Sequence, residues 1–100
     1  SESLSDISEF DTESILITQS KYCLSSAAVI HALDELWDIH CLITEEFTDL
    51  KSCTQYIILG QNQELKNISV TIENWKKKKK GNDEVEFFTR KISTNIPNSY

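Results

Sequence analysis

Residues 25–40 read SSAAVIHALDELWDIH, and this stretch decides the fold predicted for the chain. Its apolar and aromatic side chains recur at helical spacing, at Val29, Ile30, Leu33, Leu36, Trp37 and His40. The hydroxyls of Ser25 and Ser26 precede this pattern, where an oxygen acceptor can cap the first turn of a helix. We therefore predict an amphipathic helix over about residues 26–39, with Trp37 on its buried side.

Strands are predicted on both sides of this helix. Residues 14–24 alternate and are rich in β-branched side chains, whereas residues 51–61 are apolar on both faces, as in a strand central to a sheet. The other segments with strand character are residues 41–47, 67–75 and 84–92. The order β-α-β-β-β-β predicts an α+β domain: an antiparallel sheet of four to five strands with one main helix on one face.

The chain divides into an acidic, serine-rich arm at residues 1–12, a single α+β domain at residues 13–94 and a tail at residues 95–100. One interpretation of the arm is a solvated, flexible segment, because it has few apolar groups to offset its chain entropy. The other is a docking segment, because Leu4, Ile7 and Phe10 are spaced by three and so fall near one helical face.

Charge gives the only localised binding prediction. The net charge of −6 disfavours nucleic acid as a partner. Five adjacent lysines are predicted in a hairpin loop between the last two strands, with two more cations across the hairpin; the set is Lys76, Lys77, Lys78, Lys79, Lys80, Arg90 and Lys91. This patch could bind an acidic phospholipid, an acidic protein segment or the acidic arm, or could be a solvated loop that protects a sheet edge.

The three cysteines, Cys23, Cys41 and Cys53, fit no disulfide framework and favour a cytoplasmic or nuclear location. No pair of Cys or His has the spacing of a zinc site, and two glycines leave no phosphate-binding loop, so neither metal nor cofactor is expected. His40 beside Cys41 is the only Cys/His adjacency. A small enzyme using that pair is the least supported alternative, since adjacent side chains diverge.

Four segments resemble the kinase-associated C-terminal domain of microtubule-affinity-regulating and AMP-activated-type kinases. They are residues 25–33 (SSAAVIHAL), 56–59 (YIIL), 68–72 (ISVTI) and 85–93 (VEFFTRKIS). The resemblance implies a strand, a helix and antiparallel strands, and a regulatory module that restrains a kinase, docks a subunit or binds acidic phospholipid.

These observations favour a noncatalytic interaction or regulatory domain that binds a protein partner, with an anionic phospholipid module built on the lysine loop as the alternative. A homo-oligomer is a further expectation. It would use a second, partly apolar sheet face formed by Tyr56, Ile58 and Phe88.

Overall fold

A three-stranded parallel sheet with helices on one face makes up the described part of the chain, which is residues 15–80 and 82–96 of a computed structural model. The elements in chain order are β1 (Ile15–Leu24), α1 (Ser26–Glu46), a 3-10 turn (Thr48–Cys53), β2 (Thr54–Gln63), α2 (Ile68–Lys78), α3 (Asp83–Arg90) and β3 (Ile92–Asn95). The predicted docking residues Leu4, Ile7 and Phe10 lie outside the described residues, as does most of the predicted tail.

The prediction of an antiparallel sheet of four to five strands is wrong. The strand order is β1-β2-β3, and both pairs are parallel, with Ile17 beside Tyr56 and Tyr56 beside Ile92. The physical reason lies in the connections, since each one contains helix and crosses back over the sheet, which brings the next strand in parallel. The central position predicted for residues 51–61 is confirmed, because β2 pairs on both sides.

Helix α1 begins where the serines predicted it to begin. The Ser25 hydroxyl accepts a hydrogen bond from the Ala28 backbone N–H at 3.2 Å. The helix is longer than expected, and the strand predicted at residues 41–47 is wrong. Ile43 continues the buried face of the helix one turn beyond His40. The helix therefore extends to Glu46, and Phe47 is its C-terminal cap.

The prediction of a hairpin around the lysines is also wrong. The two segments predicted as its strands, residues 67–75 and 84–92, lie mainly in helices α2 and α3. Asn67 caps α2 by accepting from the Ser69 N–H at 3.0 Å, and Asn82 caps α3 by accepting from the Val85 N–H at 2.9 Å. The buried residues follow helical spacing, namely Ile68, Thr71 and Trp75 in α2, and Val85 and Phe88 in α3. The alternation of Ile68, Val70 and Ile72 that had indicated a strand is misleading, since Val70 is 54% exposed.

One hydrophobic core joins the three helices to a single face of the sheet. The cluster of buried side chains draws on α1, α2, α3 and the β2 residues Tyr56 and Ile58. Phe88 of α3 lies at its centre, with ring centroids 5.2 Å from those of Trp37 and Tyr56 and 5.6 Å from that of Trp75. Because Tyr56, Ile58 and Phe88 are fully buried here, they do not form the second apolar face that was expected of them.

Candidate functional site

A buried histidine links three elements of the core. His40 is 1% exposed; its Nδ1 lies 3.0 Å from the Tyr56 hydroxyl, and its Nε2 lies 2.6 Å from Oε2 of Glu84. Burial raises the pKa of Tyr56 to about 12, so its hydroxyl keeps its proton. The assignment that satisfies every atom has the Tyr56 hydroxyl donating to Nδ1 and the Nε2–H donating to Glu84.

The other oxygen of Glu84 is also engaged. Its Oε1 accepts from Nζ of Lys51 at 3.0 Å. Burial alone would raise the pKa of Glu84, but the hydrogen bonds from His40 and Lys51 outweigh it and hold this pKa below its usual value. The carboxylate is therefore an ionised acceptor held by His40 and Lys51. The network holds the fold together and leaves no free group at His40 for chemistry on a substrate.

The structure gives the Cys/His enzyme hypothesis no support. Both ring nitrogens of His40 are taken by Tyr56 and Glu84. Burial and the nearby carboxylate of Asp38 raise the pKa of the Cys41 thiol, which moves it away from the thiolate form that a nucleophile needs. Among residues 15–80 and 82–96, no three His, Cys, Asp or Glu side chains lie close enough together to hold a metal ion.

Two of the predicted anion-binding cations are neutralised by neighbouring acids. Lys76 Nζ lies 2.6 Å from Glu86 and 3.3 Å from Glu73, and the hydrogen bond to Glu86 raises the pKa of Lys76. Arg90 Nε lies 3.9 Å from Glu86. These four side chains line an open groove of 220 Å³ between α2 and α3. Its two cations and two carboxylates balance, so it offers an anion no net attraction.

Lys91 lies elsewhere and is occupied. Its ammonium donates to the backbone carbonyls of Lys51, Ser52 and Thr54 at 2.7 to 3.0 Å and lies 4.7 Å from the ring centroid of Phe87. Burial lowers its pKa. Lys91 therefore fastens the 3-10 turn to the start of β3, and the convergence of seven cations expected from the sequence does not form.

The remaining lysines cluster at the C-terminal end of α2. Lys77, Lys78, Lys79 and Lys80 are exposed, in a position where cations complement the helix dipole. Lys79 lies 5.5 Å from the ring centroid of Trp75. Lys80 has a left-handed backbone with φ of 66°, which ends the helix. These four lysines and Arg90 are the members of the predicted site that are exposed to solvent, and Arg90 lies beside Glu86.

The second face of the sheet is formed by residues other than those the sequence predicted for it. In parallel strands the paired residues share a face, so the register and the alternation along each strand place ten side chains opposite the helices. We call this set the open face: Leu16, Thr18, Ser20, Tyr22, Gln55, Ile57, Leu59, Gln61, Ser93 and Asn95. Leu16 is 58% and Tyr22 is 74% exposed, while Ile57 and Leu59 are half-buried and belong to β2.

One sequence signal for this face was present. The run Tyr56, Ile57, Ile58, Leu59 is apolar on both sides of the strand, and it correctly placed β2 at the centre of the sheet. Tyr56 and Ile58 point to the helices and are buried, so Ile57 and Leu59 must point away from them. The described helices therefore leave the apolar second side of β2 open.

Comparison of the chain with models of protein families, with curated proteins and with solved structures found no match. In the described ranges, none of the helices is long and apolar enough to span a bilayer.

Proposed function

We propose that this chain is a noncatalytic interaction domain and that it binds a protein partner on the open face. The observation that carries the proposal is the chemistry of that face, since all ten of its positions are uncharged. Charged residues make up 26% of the chain, so ten surface positions of average composition would include two or three. Charge depletion with exposed aromatic and aliphatic side chains is typical of the centre of a protein interface.

The geometry of the sheet adds a second argument. Parallel sheets occur almost only where both faces are covered, because their strands are apolar on both sides. Here α1, α2 and α3 pack on the face of Tyr56 and Ile58. Ile57 and Leu59, on the other side of the same strand, form the apolar middle of a face that the described helices leave open.

The partner that fits this face is an amphipathic helix. Three strands span about 14 Å and ten residues of strand about 33 Å, which accommodates one helix of about 10 Å diameter. A helix of this diameter along ten residues of strand would cover roughly 330 Å² of the open face, well below the ~800 Å² per partner of a stable complex. The interaction is therefore weak and reversible, as a regulatory contact requires.

Photo-cross-linking from within the open face tests this proposal. With p-benzoylphenylalanine in place of Tyr22, irradiation in a native extract should give an adduct whose cross-linked peptide has apolar residues at helical spacing. The matched control places the same group at Phe47, which is 52% exposed beyond the end of α1. The proposal fails if position 22 gives no protein adduct, or only adducts that position 47 also gives.

Anionic phospholipid is the alternative ligand, and the four exposed lysines at the end of α2 favour it. Each cation near an anionic membrane contributes about 1 kcal/mol. Replacing Lys77, Lys78, Lys79 and Lys80 by glutamine should then abolish co-sedimentation with phosphatidylserine vesicles at low salt, with no binding to phosphatidylcholine vesicles in either protein. Equal sedimentation of the two proteins would exclude the lysines as a lipid site.

Two broader hypotheses accompany this function. Cys23, Cys41 and Cys53 are free thiols in the structure, which supports the proposal of a cytoplasmic or nuclear location. A regulatory role beside a kinase remains a hypothesis from the resemblance alone, and the parallel sheet differs from the antiparallel layout that the resemblance implies.

A further inference from the structure

The outer edge of β1 lacks the features that normally prevent an edge strand from pairing. Among the described strands β1 pairs only with β2, which leaves one side of its ten-residue backbone open. Edge strands are usually protected by short length, proline, bulges or charged side chains. At the other edge of the sheet β3 is four residues long, whereas β1 contains no proline or glycine, and its single charged residue is Lys21. The edge of β1 is therefore suited to pairing with another strand.

Lys21 does not protect this edge, because its ammonium is held by α1 of its own chain. Its Nζ lies 2.8 Å from Nδ1 of His31 and 3.5 Å from Oε1 of Glu35. The rest of the strand is uncharged and presents apolar side chains to solvent. Of the six large hydrophobic residues exposed in the described part of the chain, β1 supplies Ile15, Leu16 and Tyr22. Ten residues thus contribute half of these side chains.

We propose that β1 pairs in antiparallel orientation with β1 of a second copy of this chain, about a two-fold axis that passes Gln19 and is perpendicular to the sheet. A contact of this isologous kind joins the two sheets into one sheet of six strands. Because the axis is perpendicular to the sheet, the helices of both copies lie on one side and both open faces on the other. The dimer uses an edge of the sheet, so it leaves the open face accessible.

The side chains of β1 are self-complementary in this register. With Gln19 on the axis, residues equally far from it in the two directions face each other. Leu16 then lies opposite Tyr22 of the second copy, and Thr18 lies opposite Ser20 of the second copy. Leu16 is 58% and Tyr22 is 74% exposed in the single chain, and in the dimer each covers part of the other. Cross-strand pairs of aromatic with aliphatic side chains, and of Thr with Ser, stabilise antiparallel strands.

Other symmetric registers fit the strand less well. The axis must pass a residue, because directly opposed residues of an antiparallel pair point to the same face. Moving the axis to Thr18 places Leu16 opposite Ser20. Moving it to Ser20 places Leu16 opposite Leu24, which is already fully buried in its own core. Moving it to Lys21 opposes two ammonium groups, which is destabilising.

The dimer places two open faces side by side. Six strands span about 28 Å, twice the width of the sheet in one chain. For an amphipathic helix on each open face, the two copies together offer roughly 660 Å², which is close to the ~800 Å² per partner of a stable complex. This consequence rests on the proposed function, whereas the dimer itself rests on β1 alone.

Disulfide formation on mild oxidation tests the register. Gln19→Cys, in a chain whose three native cysteines are replaced by alanine, should give a covalent dimer, because residues that face each other across antiparallel strands have the Cα separation of a disulfide. Leu16→Cys in the same background is the matched control, since the two copies of residue 16 lie about 20 Å apart in this register. We expect about a tenfold higher dimer yield from Gln19→Cys than from Leu16→Cys. Combining Leu16→Cys with Tyr22→Cys should restore the high yield.

Sedimentation of the full parent chain tests the association without added cysteines. Its average mass should rise from that of a monomer toward twice that value between low micromolar and millimolar concentration, as expected of a contact limited to one strand pair. Thr18→Lys together with Ser20→Lys brings four ammonium groups together across the axis and should weaken association about tenfold. Gln61→Lys together with Asn95→Lys adds the same charge to exposed positions of the same face away from β1, and should leave association unchanged. Circular dichroism of both variants should match the parent.

The outcomes separate the dimer from the proposed function. A parent chain that stays monomeric at millimolar concentration overturns the dimer, as does equal association of the two lysine variants. Covalent dimers from Leu16→Cys but not from Gln19→Cys overturn the register and the two-fold axis at Gln19. If the dimer fails these tests, an adduct of position 22 with another protein still supports the proposed function. A dimer that forms while position 22 gives adducts only with β1 of the second copy supports the dimer and overturns the proposed function.

Discussion

His40 and Glu84 are 44 residues apart in the chain, yet the Nε2 of His40 lies 2.6 Å from Oε2 of Glu84. This contact ties the second half of α1 to the first turn of α3 across the aromatic core. Because the imidazole is also bonded to the Tyr56 hydroxyl, it joins one helix of the core to the central strand and to a second helix. We therefore expect this hydrogen-bond network to stabilise the fold, which measurements of the free energy of unfolding can test.

Replacing His40 by alanine should lower the free energy of unfolding by about 2–4 kcal/mol, because it leaves a cavity and two unpaired polar partners. Replacing Tyr56 by phenylalanine removes one hydrogen bond and keeps the ring, so the loss should be about 0.5–1.5 kcal/mol. Urea denaturation of both variants checks this. A His40→Ala loss no larger than that of Tyr56→Phe would show that the imidazole is not a structural link.

The pH dependence of stability should show the contribution of Glu84. Its pKa is lowered by folding from an ordinary value of 4.5, so its contribution is present above that pH and is lost as pH falls through the folded-state pKa. The Glu84→Gln variant has no carboxyl group to titrate, so its stability lacks this pH-dependent contribution. The difference in unfolding free energy between the parent and this variant should therefore shrink between about pH 5 and pH 3. A difference that grows with falling pH would contradict the assignment.

Gly60 is required by the close approach of Leu24. A Cβ at position 60 would clash with Cγ of Leu24, a side chain that is fully buried. Gly60→Ala should destabilise the chain by about 1–3 kcal/mol through overpacking. In a Leu24→Ala background the same change should cost much less, because the clash is gone. Equal costs in the two backgrounds would show that the two side chains do not meet.

The caps of α2 and α3 distinguish the observed helices from the predicted hairpin. Asn82→Ala removes the acceptor for the Val85 N–H and should cost about 1 kcal/mol. Asn74→Ala, at an exposed position within α2, is the matched control and should change stability by less than about 0.5 kcal/mol. If the two substitutions have the same effect, residue 82 does not begin a helix.

Local signals identified part of this fold correctly. Alternation predicted β1, a run apolar on both faces predicted β2, and the Ser25 cap predicted the start of α1, because each of these signals depends on neighbouring residues alone. The pattern of residues 68–72 failed because Ile68, Val70 and Ile72 alternate within a helix whose buried side is set by Ile68, Thr71 and Trp75. Because the two helices between β2 and β3 were predicted as strands, the parallel topology of the sheet could not be predicted.

Less of the candidate site than of the fold could be predicted from the sequence. The lysines were recognised from composition, but only the fold shows that Lys76 faces Glu86 and that Lys91 binds backbone carbonyls. The contact of His40 with Glu84 spans too much sequence for any local pattern to indicate. The open face depends on the register of Ile57 against β1 and β3, which the sequence expresses only as a strand apolar on both sides.

The yield of the position-22 cross-link in face variants tests the central claim most directly. Ile57→Lys together with Leu59→Lys places two charges in the open face and should reduce the partner adduct at least tenfold, because an apolar contact cannot pair them. Val70→Lys is the control, since Val70 is an exposed apolar residue of α2 outside this face. We predict an unchanged adduct in the control and near loss of it in the double variant, with both proteins folded by circular dichroism. An undiminished adduct in the folded double variant would contradict the open face as the binding surface.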